Sequence, residues 1–123
     1  MEVELISAAH PPALYQTCNG ELQYINLRGD VLGMVERPTF ESRRFPVCSG
    51  DRLFVYTDGL IEGYRDENKR SGRTLWGMQR LTEEMLGWRG RPLQQTVDGL
   101  VDGLLAECGG GACDDIVLLG IEF

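Results

Sequence analysis

The sequence predicts an α+β fold of mainly antiparallel strands, with two helices in its C-terminal half. Three observations carry this. The first half holds short β-type runs separated by turn signals. The second half holds two apolar stripes at three- and four-residue spacing. A last apolar run, rich in β-formers, closes the chain.

Val3 and Leu5 alternate with Glu2 and Glu4, the pattern of a half-buried strand reaching Ala8 or Ala9. His10-Pro11-Pro12 stops it, because proline removes a backbone donor. Ala13–Thr17 and Leu22–Leu27 flank Asn19-Gly20, the strongest hairpin signal in the chain. Phe40–Val47 is the next strand, ended by Ser49-Gly50-Asp51. Leu53–Thr57 is apolar without alternation, which predicts a central strand covered on both faces; Asp58-Gly59 ends it.

Glu62–Arg73 is polar and mixed in charge, as expected of an exposed loop. From Thr74, Leu75, Met78, Leu81 and Met85 mark a helix that ends near Gly87 and Gly90. Trp76 and Trp88 flank that helix as core or docking residues. Pro92 suits a first helical turn. Leu93, Val97, Leu100, Val101, Leu104 and Leu105 form the stripe of a second helix, which stops before Gly109. Ile116–Phe123 is the last strand.

With 123 residues the chain is expected to be one domain, residues 1–123. Twelve basic against nineteen acidic residues, a net charge of −7, argue against nucleic-acid binding, which needs clustered Lys and Arg. No apolar run approaches the roughly 20 residues of a membrane helix, and the N-terminus lacks the pattern of a signal peptide, so a cytoplasmic protein is expected. Cys18, Cys48, Cys108 and Cys113 form no C-x-x-C pair. Cys108 and Cys113 are close enough for a disulfide or a metal pair, but reduced thiols are the better reading.

One constellation carries chemistry. An apolar strand runs out into Asp58-Gly59, and another starts from Asp114-Asp115. Were the two antiparallel neighbours, about 5 Å apart, the carboxylates of Asp58 and Asp114 would face one small volume. Such a pair repels unless it takes a proton or a cation, and Mg²⁺ or Mn²⁺ prefer oxygen ligands. Gly59 would let the backbone approach the ion. The competing reading makes both segments ordinary turns. His10, the one histidine, is expected to fix a turn. No serine stands in a G-x-S-x-G context, and no P-loop occurs.

These residues fall into a wider pattern. Ala8-Ala9-His10-Pro11-Pro12 resembles an AGHPP segment, and Gly29 with Val31-Leu32-Gly33-Met34 resembles the small-residue turn that follows it. Ser49–Glu62 resembles a GD-x-L-x-x-YTDG-x-x-E block. Trp76-Gly77-Met78-Gln79-Arg80-Leu81 resembles an FG-x-x-RL helix start, and Asp114–Leu119 resembles a terminal DD-[IV]-T-[LV]-L strand. In this order they are similar to the C-terminal half of bacterial metal-dependent (PPM-type) serine/threonine phosphatases of the sporulation stage II E and sigma-regulatory subgroup.

The resemblance implies part of an α-β-β-α sandwich holding two Mn²⁺ or Mg²⁺ ions. Asp58 matches the metal-binding Asp of the first block, with Gly59 beside it. Asp114 matches that of the last, with Asp115 supportive. The implied substrate is a phosphorylated regulatory protein such as an anti-sigma-factor antagonist. Ala9 stands where Gly is usual, and Val117 where Thr is usual. The subgroup's first acidic metal-bridging motif lies upstream of the AGHPP segment and is absent from these 123 residues. The expected activity is therefore incomplete or weak in this chain alone, with a missing N-terminal half or a second copy as its expected complement. The alternative is a non-catalytic, phosphatase-like binding or regulatory module.

Overall fold

The computed structural model describes residues 1–64, 73–108 and 115–123. Of the expected loop Glu62–Arg73, residues 65–72 lie outside the described residues, as do Cys113 and Asp114, while Glu62 closes one helix and Arg73 opens the next. Six strands and three helices follow in order: β1 Glu2–Ile6, β2 Ala13–Gln16, β3 Leu22–Ile25, β4 Ser42–Pro46, β5 Arg52–Tyr56, α1 Asp58–Glu62, α2 Arg73–Gly87, α3 Leu93–Glu107 and β6 Leu118–Glu122. The α+β class and the antiparallel pairing match the sequence reading. The third helix corrects it: Asp58-Gly59 does not simply end a strand but opens α1. Thr57 supplies the extended residue before the helix, with φ −83° and ψ 158°, and Leu60 N–H donates back to the Thr57 carbonyl.

The strands form a β1–β4 pair and a four-stranded sheet in the order β3-β2-β5-β6. The β1–β4 register runs from Glu2↔Pro46 to Ile6↔Ser42, and β2 pairs antiparallel with both β3 and β5. Asn19-Gly20 lies in a connection, residues 17–21, one residue longer than the predicted strands imply. Gly20 N–H donates to Thr17 O at 2.8 Å with Gly20 at φ +87°, and Thr17 N–H donates to Glu21 O. Glycine there adopts the left-handed backbone without a Cβ clash.

The residues sort into two compact units, Met1–Val55 with Glu122–Phe123, and Tyr56–Ile121. In the first, Ala13, Tyr15, Ile25, Val47 and Leu53 form a buried cluster lined by Val3, Leu5, Leu27, Phe45, Val55 and Phe123. The Tyr15 and Phe45 rings meet edge to face at 5.3 Å, a favoured aromatic geometry. All four residues of β2 are buried, as a central strand requires. Gly29 is fixed by crowding. A Cβ there would stand 1.9 Å from the Ser7 carbonyl oxygen.

In the second unit, Leu60, Ile61, Tyr64, Leu81, Met85, Leu100 and Leu104 are buried. The predicted stripes are narrower in fact: Leu75 and Leu105 are exposed, and Thr96 is buried with its hydroxyl donating to Pro92 O at 3.1 Å. Gly77 lets α2 rest on α1, since a Cβ would lie 2.0 Å from the Ile61 carbonyl oxygen. Gly99 similarly makes room for the Trp88 ring. Cys18 and Cys48 are free thiols, whereas Cys108 is disulfide-bonded, against the expectation of four reduced cysteines.

Candidate functional site

The strand exit and strand entry singled out in the sequence do meet. Thr57 N–H donates to Val117 O at 3.0 Å, and Val117 N–H donates to Thr57 Oγ1 at 2.9 Å. The Thr57 hydroxyl in turn donates to Asp115 O at 3.0 Å. One threonine therefore clasps the segment leading into β6 by three hydrogen bonds. At the far end, Gly50 N–H donates to Phe123 O and Phe123 N–H to Asp51 O. Residues 50–57 thus run antiparallel to 117–123.

Asp58 follows the clasp directly and is exposed, as is Asp115. Gly59 is buried, and its carbonyl accepts Gly63 N–H at 3.1 Å, so one of its two lone pairs is engaged within α1. Asp114 falls outside the described residues. Among the described residues, no group of three or more His, Cys, Asp or Glu side chains could hold a metal ion. The described residues alone do not enclose the two-ion centre that the resemblance implies. His10 sits at a turn, its N–H donating to Ser7 Oγ at 3.2 Å.

Three functional or framework residues went unread in the sequence. In the sequence Thr57 reads only as the end of a strand, yet it holds the strand-to-strand junction. Asp51 reads as a turn residue, yet it is a buried carboxylate that accepts three donors: the Tyr15 hydroxyl, Cys18 N–H at 2.8 Å and Cys48 N–H at 2.7 Å. These bonds, led by that from Tyr15, hold its carboxyl below its ordinary range. Arg80 forms ion pairs with Glu83, Glu84 and Glu107 at 3.1–3.2 Å and lies over the Tyr64 ring. Burial works against its charge, but the Glu107 and Glu83 carboxylates outweigh it and hold the guanidinium above its ordinary value. The signal for Asp51 was its place between a glycine and an apolar strand; for Arg80 it was the resemblance block itself.

The family model for stage II sporulation protein E (SpoIIE) matches residues 1–123. The chain belongs to the SpoIIE family. Phosphoserine phosphatase RsbP of Bacillus subtilis (strain 168) is 32% identical over 60 residues, 49% of this chain and 15% of RsbP. The solved RsbU and RsbW domains of Rv1364c from Mycobacterium tuberculosis are 27% identical with a TM-score of 0.75, over 98% of this chain and 32% of that one. The PP2C phosphatase domain of Bacillus subtilis SpoIIE superposes with a TM-score of 0.76 at 16% identity, over 98% of this chain and 34% of that one, which establishes the shared fold. The chain thus spans about a third of these solved relatives.

Within this SpoIIE-family chain the resemblance blocks acquire separate physical roles. The WG-x-x-RL block builds the helical packing: Gly77 rests on Ile61, Leu81 is buried and Arg80 gathers three carboxylates. The YTDG block joins that packing to β6 through Thr57. Ala9 has φ +59°, the left-handed region that suits the glycine usual at that position.

Proposed function

We propose that this chain is the C-terminal portion of a metal-dependent protein phosphatase domain. Its substrate is a phosphoserine or phosphothreonine on a regulatory protein, such as an anti-sigma-factor antagonist. The observation supporting this most directly is the Thr57 clasp, which joins the residue before Asp58 to the backbone of Asp115 and Val117. Asp58, with Gly59, Asp114 and Asp115, would contribute to a Mn²⁺ or Mg²⁺ site. Such ions polarise a phosphoryl oxygen and supply hydroxide near neutral pH. Further acidic ligands come from an N-terminal portion of the domain, and the working enzyme is the two portions together.

The test is hydrolysis of a small aryl phosphate and of a phosphoserine peptide with Mn²⁺. This chain is assayed alone, then with the N-terminal portion of a SpoIIE-family phosphatase domain added in trans. Activity appearing only with both portions, and lost in Asp58→Asn, is the expected result. A complex that forms but stays inactive with every metal overturns the catalytic reading in favour of a phosphatase-like binding module.

A further inference from the structure

Two free, exposed cysteines are tied to the same carboxylate. Asp51 Oδ1 accepts the Cys18 N–H at 2.8 Å, and Oδ2 accepts the Cys48 N–H at 2.7 Å. The Cys18 thiol lies 4.0 Å from Asn19 Oδ1, at the exposed end of the hairpin. The β2–β5 register, Leu14↔Phe54 to Gln16↔Arg52, extends to set Cys18 opposite Gly50. The Cys18 Cβ lies 3.2 Å from where a Gly50 Cβ would stand. Cys48 opens the turn containing Gly50, with Asp51 N–H donating to Cys48 O at 3.1 Å and Gly50 at φ +90°. Residues 18 and 48, thirty apart in sequence, are thus held on two sides of one anchor, with their thiols open to solvent.

We propose that Cys18 and Cys48 are a peroxide-responsive thiol pair that closes into an intramolecular disulfide beside Asp51. A disulfide requires Cα atoms about 4.4–6.8 Å apart. The two N–H groups share one carboxylate and the Cys18 Cβ abuts Gly50, two residues from Cys48, so closure calls for side-chain rotation and a shift of the exposed 48–50 turn. The oxidant is a peroxide. One cysteine, as thiolate, attacks a peroxide oxygen; the O–O bond breaks, the sulfur becomes a sulfenic acid and hydroxide leaves. The second thiol then attacks that sulfur, the S–S bond forms, and the sulfenic oxygen departs as water. Two thiols lose two electrons and two protons in all, and the peroxide becomes two waters. A low-molecular-weight thiol reverses the step by exchange. The closed form staples the end of the β2–β3 hairpin to the turn that leads into β5.

The test treats the chain, its Cys108 disulfide left intact, with hydrogen peroxide and then alkylates it with a maleimide polymer. Non-reducing peptide mapping follows. The expected result is loss of two alkylatable thiols and a linked Cys18–Cys48 peptide lighter by two hydrogens, both reversed by dithiothreitol. Cys18→Ser should leave Cys48 as a sulfenic acid that dimedone traps, and Cys48→Ser the converse. Because both side chains are exposed, circular dichroism of these variants should match the parent. Thiols that stay alkylatable, or that advance to sulfinic acid in the parent at the rate seen in the single variants, overturn the proposal. So does a Cys18–Cys48 link between isotopically heavy and light chains.

Discussion

The Tyr15 hydroxyl donates to the Asp51 carboxylate across the β2–β5 ladder. Tyr15 pairs with Leu53, so Asp51, two residues earlier, is its diagonal neighbour on the same face. Each partner moves the other's titration. Burial first, and then the bond to Asp51, push the Tyr15 phenol up to about 12, while the bond from Tyr15 helps hold Asp51 down.

Linkage gives this pair two pH windows. Tyr15 binds its proton more tightly when folded. Its contribution is therefore present below its ordinary value of 10.0 and lost as pH rises through about 12. Asp51 is the reverse: its contribution is present above its ordinary value of 3.8 and lost as pH falls through the lowered folded value. Tyr15→Phe should cost about 1–2 kcal/mol at neutral pH, and the gap to the parent should shrink above pH 10. Urea melts across the pH range check this, and a gap that persists at pH 12 would contradict it.

Ala9 holds a left-handed backbone at φ +59° without being glycine. That conformation costs an L-residue roughly 1–2 kcal/mol, which glycine avoids while losing more chain entropy on folding. Ala9→Gly should therefore stabilise the chain, by about 0.5–1 kcal/mol in chemical denaturation. A loss of stability would show that the strain is offset by contacts of the Ala9 methyl.

Two helical glycines should respond with opposite signs. Gly77→Ala drives a methyl into the Ile61 carbonyl and should cost about 1–3 kcal/mol as α2 lifts from α1. Gly103 sits in α3 with nothing within 4 Å of its added Cβ. Gly103→Ala should raise stability by about 0.5–1 kcal/mol through helix propensity alone. Equal effects from the two variants would rule out the α1–α2 contact as the cause.

Thr57→Val keeps the shape but deletes the hydroxyl that accepts from Val117 and donates to Asp115. The clasped groups are exposed, so water replaces part of the loss and the cost should be about 1 kcal/mol. Amide exchange at Val117 should rise while exchange in β2 stays unchanged. Thr57→Ser should restore the protection.

The fold was legible where periodicity is strong. β2, β5, α2 and α3 lie within a residue or two of their predicted bounds, because burial on known faces writes itself into residue spacing. α1 was not, because five residues are too few for a 3.6-residue period to show, and Asp-Gly reads equally as a turn. The meeting of the β5 exit with the segment entering β6 was legible from strand ends alone. The clasp was not, since nothing in a threonine's identity says that its hydroxyl will bridge to the backbone of residues 115 and 117. Asp51 was hidden for a related reason. A buried carboxylate is rare, and only the fold reveals the donors that permit it.

Strand β6 ends the four-stranded sheet and turns Val117, Leu119 and Ile121 outward, exposed by 59%, 53% and 39%. An apolar row on a terminal strand is a template for adding another chain's strand. Asp115 and Glu122 bracket the row as charged gatekeepers, so β6 carries a built-in brake against runaway self-assembly. Removing that bracket, as in the double variant Asp115→Asn with Glu122→Gln, is therefore the change that should let β6 recruit further strands, read as thioflavin fluorescence.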